Sequence, residues 1–217
     1  MKPLSKIARK YNTDKGVSST WDWSHGYTEF YDRYFSAYDN PVIFEIGVYK
    51  GESIRLYDAY YGGCEIYCAD IEDMSGMFAN MPNVHFYQLD QSNRDDWDRF
   101  NKMTEGVEFD IILDDGGHQF DQQMISLSKL HRRVRKNGIY ILEDLHTSLA
   151  NGVSYSPLMF LNYFGVKHPS INHYLTDEEF NDLCDDIRDV VISNAKSVGD
   201  NQFYHNRSIT SVITFNH

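Results

Sequence analysis

From residue 42 onward the chain alternates between short apolar runs and stretches with helical spacing, and this alternation restricts the fold more than any other feature. Strands are predicted at Val42–Ile46, Glu65–Ala69, Val84–Leu89, Phe109–Leu113 and Ile139–Leu142, with helices over about 51–61, 94–102 and 121–135. The last of these helices carries Met124, Leu127, Leu130 and Val134 on one stripe, and Asn137-Gly138 is expected to end it. Strand and helix in turn imply an α/β fold with a mainly parallel sheet. In such sheets ligands bind beyond the carboxyl ends of the strands, so the residues that close each apolar run deserve the closest reading.

The flanks differ from this core. Residues 1–40 are polar and aromatic, and Tyr27, Tyr31, Tyr34 and Phe35 predict a helix over about 27–37 against the sheet edge. Trp21 and Trp23 belong to the same aromatic segment. After the core, Ser156-Pro157 introduces a helix over 155–164. Thr176 and Glu179 form a capping box for another, with Phe180, Leu183, Ile187 and Val191 along one face. Strands at Gln202–His205 and Ile209–Phe215 are expected to form a hairpin turning at Asn206-Arg207. The expected organisation is one domain over 1–217: an N-terminal cap over 1–40, then a core with a lid-like insertion near 145–175. Residues 145–166 contain no Asp, Glu, Lys or Arg, but their Asn, Ser, Gly and Pro content argues against a membrane span.

A net charge of -12 argues against a nucleic-acid partner, which would call for a basic face. The densest basic run, His131 to Lys136, is read as the end of the predicted helix. Three cysteines do not make a disulfide framework, and Cys64 and Cys68, on one face of a strand, are read as core. No signal peptide is visible at the charged, polar start, so a cytoplasmic protein is expected, with no membrane partner and an open question of homo-oligomerisation.

Two strand ends carry the chemistry. One is Asp114-Asp115-Gly116-Gly117-His118; the other is Tyr140-Ile141-Leu142-Glu143-Asp144-Leu145. Asp115, Glu143 and Asp144 are expected to converge on one hard cation, with His118 beside them as a base. The plainer alternative for Asp114 or Asp115 is a helix cap. The first strand runs into Glu45-Ile46-Gly47-Val48-Tyr49-Lys50-Gly51-Glu52-Ser53, a glycine loop that lets backbone approach a ligand. It lacks both G-x-G-x-x-G and a Gly-Lys-Ser phosphate clamp. The second and third strands end in Asp70 and Asp90-Gln91, suited to ribose hydroxyls and an adenine edge.

Together, Phe44 to Gly51, Asp70, Ile112 to His118 and Ile141 to Asp144 resemble class I S-adenosylmethionine-dependent methyltransferases. More narrowly the chain resembles the metal-dependent sugar O-methyltransferases related to the mycinamicin and demethylmacrocin enzymes. Thr13-Asp14-Lys15-Gly16, His25-Gly26-Tyr27-Thr28 and Phe203-Tyr204 are part of that likeness. The resemblance implies a Rossmann-like, seven-stranded, mainly parallel sheet with a C-terminal antiparallel hairpin and an N-terminal helical extension. It implies Mg²⁺ on Asp115, Glu143 and Asp144, and His118 as the base. Tyr27, Glu45, Gly47, Gly51, Ser53, Asp70, Asp90, Gln91 and Asp114 are expected at the S-adenosylmethionine, and Lys15, His25 and His146 at a sugar acceptor. The chain departs from the macrolide enzymes in being much shorter and in placing Gly117, rather than a small polar residue, before the histidine.

Three rival readings stand beside this one. A catechol-like acceptor would use the same metal logic. A non-catalytic adenosine-binding module would not need a base beside a cation site. A nicotinamide dehydrogenase shares the sheet edge but would call for the missing G-x-G-x-x-G.

Overall fold

The computed structural model describes residues 3–16, 23–149, 156–166, 174–196, 198–199 and 207–217. Before the core come α1 (Leu4–Tyr11), β1 (Trp23–Ser24) and α2 (Thr28–Phe35). The core runs β2 (Val42–Ile46), α3 (Glu52–Tyr61), β3 (Glu65–Asp70), β4 (Val84–Gln88), α4 (Arg94–Met103), β5 (Phe109–Asp114), α5 (Phe120–Leu130) and β6 (Val134–Leu142). It is followed by α6 (Pro157–Tyr163), α7 (Asp177–Asp186), β7 (Ile187–Lys196), β8 (Val198–Gly199) and β9 (Arg207–Phe215).

Seven strands form one sheet in the order β4-β3-β2-β5-β6-β9-β7, and β1 pairs separately with β8. The pairs from β4 through β6 are parallel, and β9 is antiparallel to both its neighbours. The chain winds outward from β2 to β4, then returns to place β5 on the other side of β2. That reversal opens a crevice at the carboxyl ends of β2 and β5.

The inner strands are buried on both faces, which is why they read as mostly apolar runs rather than alternating ones. Phe44, Ile112, Tyr140 and Leu142 point into a core closed by Trp97 and Phe100 of α4, Met124 and Leu127 of α5, Phe160 of α6 and Phe180 of α7. Ile43, Ile111, Leu113 and Ile141 point the other way, against Leu4, Tyr31, Phe35, Leu56 and Tyr57. The N-terminal helix α2 therefore packs on a sheet face beside α3, not on the edge. Cys64 and Cys68 lie in this second core as free thiols, and burial pushes the Cys64 thiol up to about 12, so neither is poised to react.

Several sequence expectations change. The helix predicted over 121–135 stops at Leu130, and Val134 already pairs with Phe109 in the sheet. Asn137-Gly138 is an irregularity inside β6, not a helix end; Asn137 has φ 66°, and a Cβ on Gly138 would meet the Asp110 carbonyl oxygen at 2.9 Å. The basic run stitches the molecule together: Arg133 donates to the carbonyls of Thr104 and Val107, Arg132 pairs with Asp186, and Arg135 with Asp110. The capping box of Thr176 and Glu179 is present, but its helix ends at Asp186. Ile187 and Val191 belong to β7, where the β-branched Val190, Val191 and Ile192 favour extended backbone. β9 thus lies between β6 and β7 and is antiparallel to both; Gln202–His205, Phe203-Tyr204 and Trp21 lie outside the described residues.

Candidate active site

The crevice holds a cavity of about 580 Å³, lined by the ends of β2 to β6 and by the segment between α1 and β1. Gly47 forms its floor where β2 ends. Its φ is +87°, and its N–H donates to the Ala69 carbonyl at 2.8 Å. Asp70, closing β3, accepts from the backbone N–H of Val48 at 2.7 Å and of Tyr49 at 3.2 Å. It thereby ties the glycine loop to the neighbouring strand while lining the cavity. Three non-glycine residues here adopt left-handed backbone: Tyr49 (φ 48°), His118 (φ 56°) and Asp144 (φ 55°). Such conformations cluster where a site holds side chains in fixed directions.

Of the residues expected at a cofactor, Gly47, Ser53, Asp70, Asp90 and Gln91 line the cavity. Glu45, Gly51, Asp114 and Tyr27 do not. Glu45 is fully buried, accepts from Ser53 Oγ at 2.6 Å, and is pushed up to about 7 by burial. Gly51 caps α3. Tyr27 lies beneath the site: its hydroxyl donates to Asp144 Oδ1 at 2.8 Å and its ring stacks on His25 at 4.7 Å. Cavity residues that sequence reading passed over include Tyr49, Ile71 and Met74. Ile71 is 59% exposed, and an apolar residue directly after a strand-end acid was the available signal.

Asp114 is a structural acid. It is fully buried and accepts from Gln91 Nε2 at 2.6 Å, from Tyr140 OH at 2.9 Å and from Ser126 Oγ. Burial nevertheless pushes its carboxyl from 3.8 up to about 6. A folded-state pKa above the unfolded one gives stability that is complete below about 3.8 and is lost as pH rises through about 6. Asp114→Asn is therefore expected to flatten the change in unfolding free energy between about pH 4 and pH 7, by at most ~3 kcal/mol. Urea unfolding of both proteins at the two pH values measures this; parallel curves would refute it.

The acids expected to hold a cation meet in two halves. Around Asp144 stand three imidazoles: His118 Nε2 is 3.4 Å from Oδ2, and His25 Nδ1 and His146 Nδ1 are 3.7 and 3.8 Å from Oδ1. Burial pushes Asp144 up, but the imidazoles and the Tyr27 hydroxyl outweigh it and hold the carboxyl at about 2. The other half is Asp115 and Glu143, joined by the ammonium of Lys15, which contacts Asp115 Oδ2 and lies 2.8 Å from Glu143 Oε2. Burial opposes the charge on Lys15, yet Asp115 and Glu143 keep it protonated well above the ordinary lysine value. Burial and Asp115 together push Glu143 upward.

Asp115, His118 and Asp144 present ligand atoms within 4.8 Å of one another. Glu143 joins them through Lys15, and its Oε1 is buried with no hydrogen-bond partner among the described residues. An oxygen-rich set with an orphaned carboxylate oxygen fits a hard divalent ion. Lys15 and His25 line the cavity, and the Lys15 ammonium is engaged by carboxylates. His146 is 3% exposed and does not line it. Of the expected lid near 145–175, residues 145–149, 156–166 and 174–175 are described, and none of them lines the cavity.

No protein-family profile matches the chain. Over 154 residues it is 32% identical to mycinamicin VI 2''-O-methyltransferase of Micromonospora griseorubida, covering 67% of this chain and 36% of that protein. Over 158 residues it is 30% identical to demethylmacrocin O-methyltransferase of Streptomyces fradiae, covering 67% and 37%. Among solved structures, the MycE methyltransferase of the mycinamycin pathway, in complex with Mg, SAH and mycinamycin VI, superposes with a TM-score of 0.73. That match has 25% identity and covers 99% of this chain and 55% of the other. The chain thus has the fold of class I S-adenosylmethionine-dependent methyltransferases. Within that class it is a relative of the sugar O-methyltransferases, and it spans little more than a third of the length of those curated relatives. No helix among the described residues is long and apolar enough to cross a membrane.

Proposed function

We propose that this chain transfers a methyl group from S-adenosylmethionine to a hydroxyl of a sugar, with a divalent cation held by Asp115, Glu143 and Asp144 and with His118 as general base. The observation that carries the reading is the meeting of Asp115, His118 and Asp144 at one wall of the cavity. The sugar O-methyltransferases among its relatives, and the Mg and SAH bound to MycE, support it. A divalent ion on these oxygens would lower the pKa of an acceptor hydroxyl beside it, as it does for water. S-adenosylmethionine in the cavity would supply a methyl group on a sulfonium, whose departure needs no protein acid.

The chain's own residues do the rest. Gly47 and Asp70 shape the cofactor half of the cavity, at the strand ends where adenosine ligands bind in such sheets. His118 Nε2 lies 3.4 Å from Asp144 Oδ2 and 3.9 Å from Asp115 Oδ1, so it faces the point where those acids would hold the acceptor. There it takes the hydroxyl proton as the oxygen attacks. Positioning of acceptor and methyl donor supplies the remaining rate, as expected for an in-line transfer.

Asp115→Asn and Asp144→Asn test the cation assignment. Each is expected to abolish Mg²⁺-dependent methyl transfer to glycosides or nucleotide-linked sugars while calorimetry still shows S-adenosylhomocysteine binding. Wild-type turnover in both variants, or full activity of the native protein in EDTA, would sink it. Binding of NAD in place of S-adenosylhomocysteine would instead favour the dehydrogenase reading.

A further inference from the structure

Lys15 is buried to 2% exposure in the middle of the acids assigned to the cation. Its ammonium takes one oxygen from each of two carboxylates, Oδ2 of Asp115 and Oε2 of Glu143. The other oxygens remain open. Glu143 Oε1 is buried with no hydrogen-bond partner among the described residues. Asp115 Oδ1 faces His118 Nε2, the same nitrogen that faces Asp144 Oδ2. Each of the three acids therefore keeps at least one oxygen that Lys15 does not use.

The main chain around Lys15 is clamped. Thr28 N–H donates to the Lys15 carbonyl at 3.0 Å, and His25 N–H to the Asp14 carbonyl at 2.8 Å. Gly16 presses on Ala8 of α1, where even a Cβ would come within 2.7 Å of the alanine methyl. A lysine held this way is built to stay rather than to swing out when an ion enters. The charges agree with that. Counted as carboxylates, Asp115, Glu143 and Asp144 bring three negative charges and Lys15 one positive, leaving two, the charge a divalent ion neutralises. Glu45 also faces the ammonium, at 3.6 Å, but it lies outside the cavity and accepts from Ser53 Oγ at 2.6 Å.

We propose that Lys15 is a positioning residue of the cation site: it remains in place when the ion binds, holds Asp115 and Glu143 by one oxygen each, and matches the cluster to a divalent charge. This rests on the reading that these acids hold a cation.

The test is ion selectivity. Mn²⁺ binding is followed by electron paramagnetic resonance and Tb³⁺ binding by luminescence, below neutral pH, for the native protein, Lys15→Met and Lys15→Arg. S-adenosylhomocysteine binding serves as the folding control. Deleting a nearby positive charge favours an ion in proportion to the ion's own charge, so the preference for Tb³⁺ over Mn²⁺ is expected to rise about tenfold or more in Lys15→Met. Lys15→Arg, which keeps the charge, returns toward the native ratio. Changes in ligand position act on both ions and largely cancel. An unchanged ratio in Lys15→Met would overturn the proposal, because a lysine displaced by the ion cannot affect selectivity. Failure of the native protein to bind Mn²⁺ would instead overturn the cation assignment itself. Should Lys15→Met not fold, reductive methylation of the native protein decides: Lys15 is expected to stay unmodified with and without Mn²⁺, and labelling that appears only with Mn²⁺ would refute the proposal.

Discussion

Replacement of His118 by alanine is expected to lower kcat for methyl transfer by about 10²–10⁴-fold, the usual contribution of a general base. Affinity for S-adenosylhomocysteine should not change. The geometry singles out this histidine from its two neighbours. His118 lines the cavity and turns Nε2 toward both Asp115 and Asp144. Its left-handed backbone follows two glycines: a Cβ on Gly116 would meet the side-chain amide of Gln91, and one on Gly117 that of Gln122. His25 also reaches the cavity, but its Nδ1 is hydrogen-bonded to Ser208 Oγ at 2.9 Å and its ring is stacked on Tyr27. His146 is buried away from the cavity, and burial lowers its pKa. Single-turnover rates and isothermal titration of the variant separate chemistry from binding. A near-native rate would remove His118 from the mechanism.

Gly47→Ala is expected to cost more stability than alanine at any other described glycine. Glycine there holds φ +87°, and the new Cβ would stand 2.7 Å from the carbonyl carbon of Asp115, closer still to its oxygen, and 3.0 Å from Gly116 Cα. All three neighbours are backbone of the β5 end, hydrogen-bonded to β2 through Asp115 N–H and the Ile46 carbonyl at 3.0 Å. No side chain can rotate away, so the strand ends must part. Overpacking of that kind, added to the backbone conformation, costs about 3–5 kcal/mol, or roughly 10 °C in melting temperature for a chain of this size. Gly26→Ala is the control. Its φ is +72°, but nothing stands within 4 Å of the added methyl, so only the conformational cost of about 1 kcal/mol should appear. Thermal melts of the two variants measure the difference. Equal shifts would show that contact with Asp115 is not what excludes a side chain at Gly47. Loss of S-adenosylhomocysteine binding should accompany the larger shift, because Gly47 lines the cavity.

The limits of sequence reading show at particular residues. Val42–Ile46 was legible to the residue, because a strand buried on both faces is nearly all apolar, and Glu45 is the one polar residue in it. Val134 was not. Its place on the stripe of Met124, Leu127 and Leu130 fits a helix equally well, and only pairing with Phe109 draws it into the sheet. Ile187 and Val191 misled for the same reason, since spacing four residues apart suits a helix and they lie in a strand that β9 pairs. Local pattern cannot see a partner contributed by a distant part of the chain.

At the site the division is similar. Asp115, His118, Glu143 and Asp144 could be picked out in the sequence, because hard acids and a histidine at the ends of apolar strands have few structural uses. Asp114 and Asp115 are chemically the same residue, and sequence reading set Asp115 at the cation and Asp114 at the cofactor. Strand alternation divides them differently: Asp114 points into the core against Tyr140 and Ser126, while Asp115 lines the cavity.

By itself, the sequence determined the α/β class, the core strands and the acids that end them, because those depend on local spacing and residue chemistry. Only the tertiary structure decided that β7 exists, that Tyr27 and three histidines surround Asp144, and that Lys15 lies between Asp115 and Glu143. Lys15 is separated from Glu143 by 128 positions. A buried ammonium and the carboxylates that keep it charged have no mutual signature along the chain; they meet only once the N-terminal segment packs across the ends of the sheet.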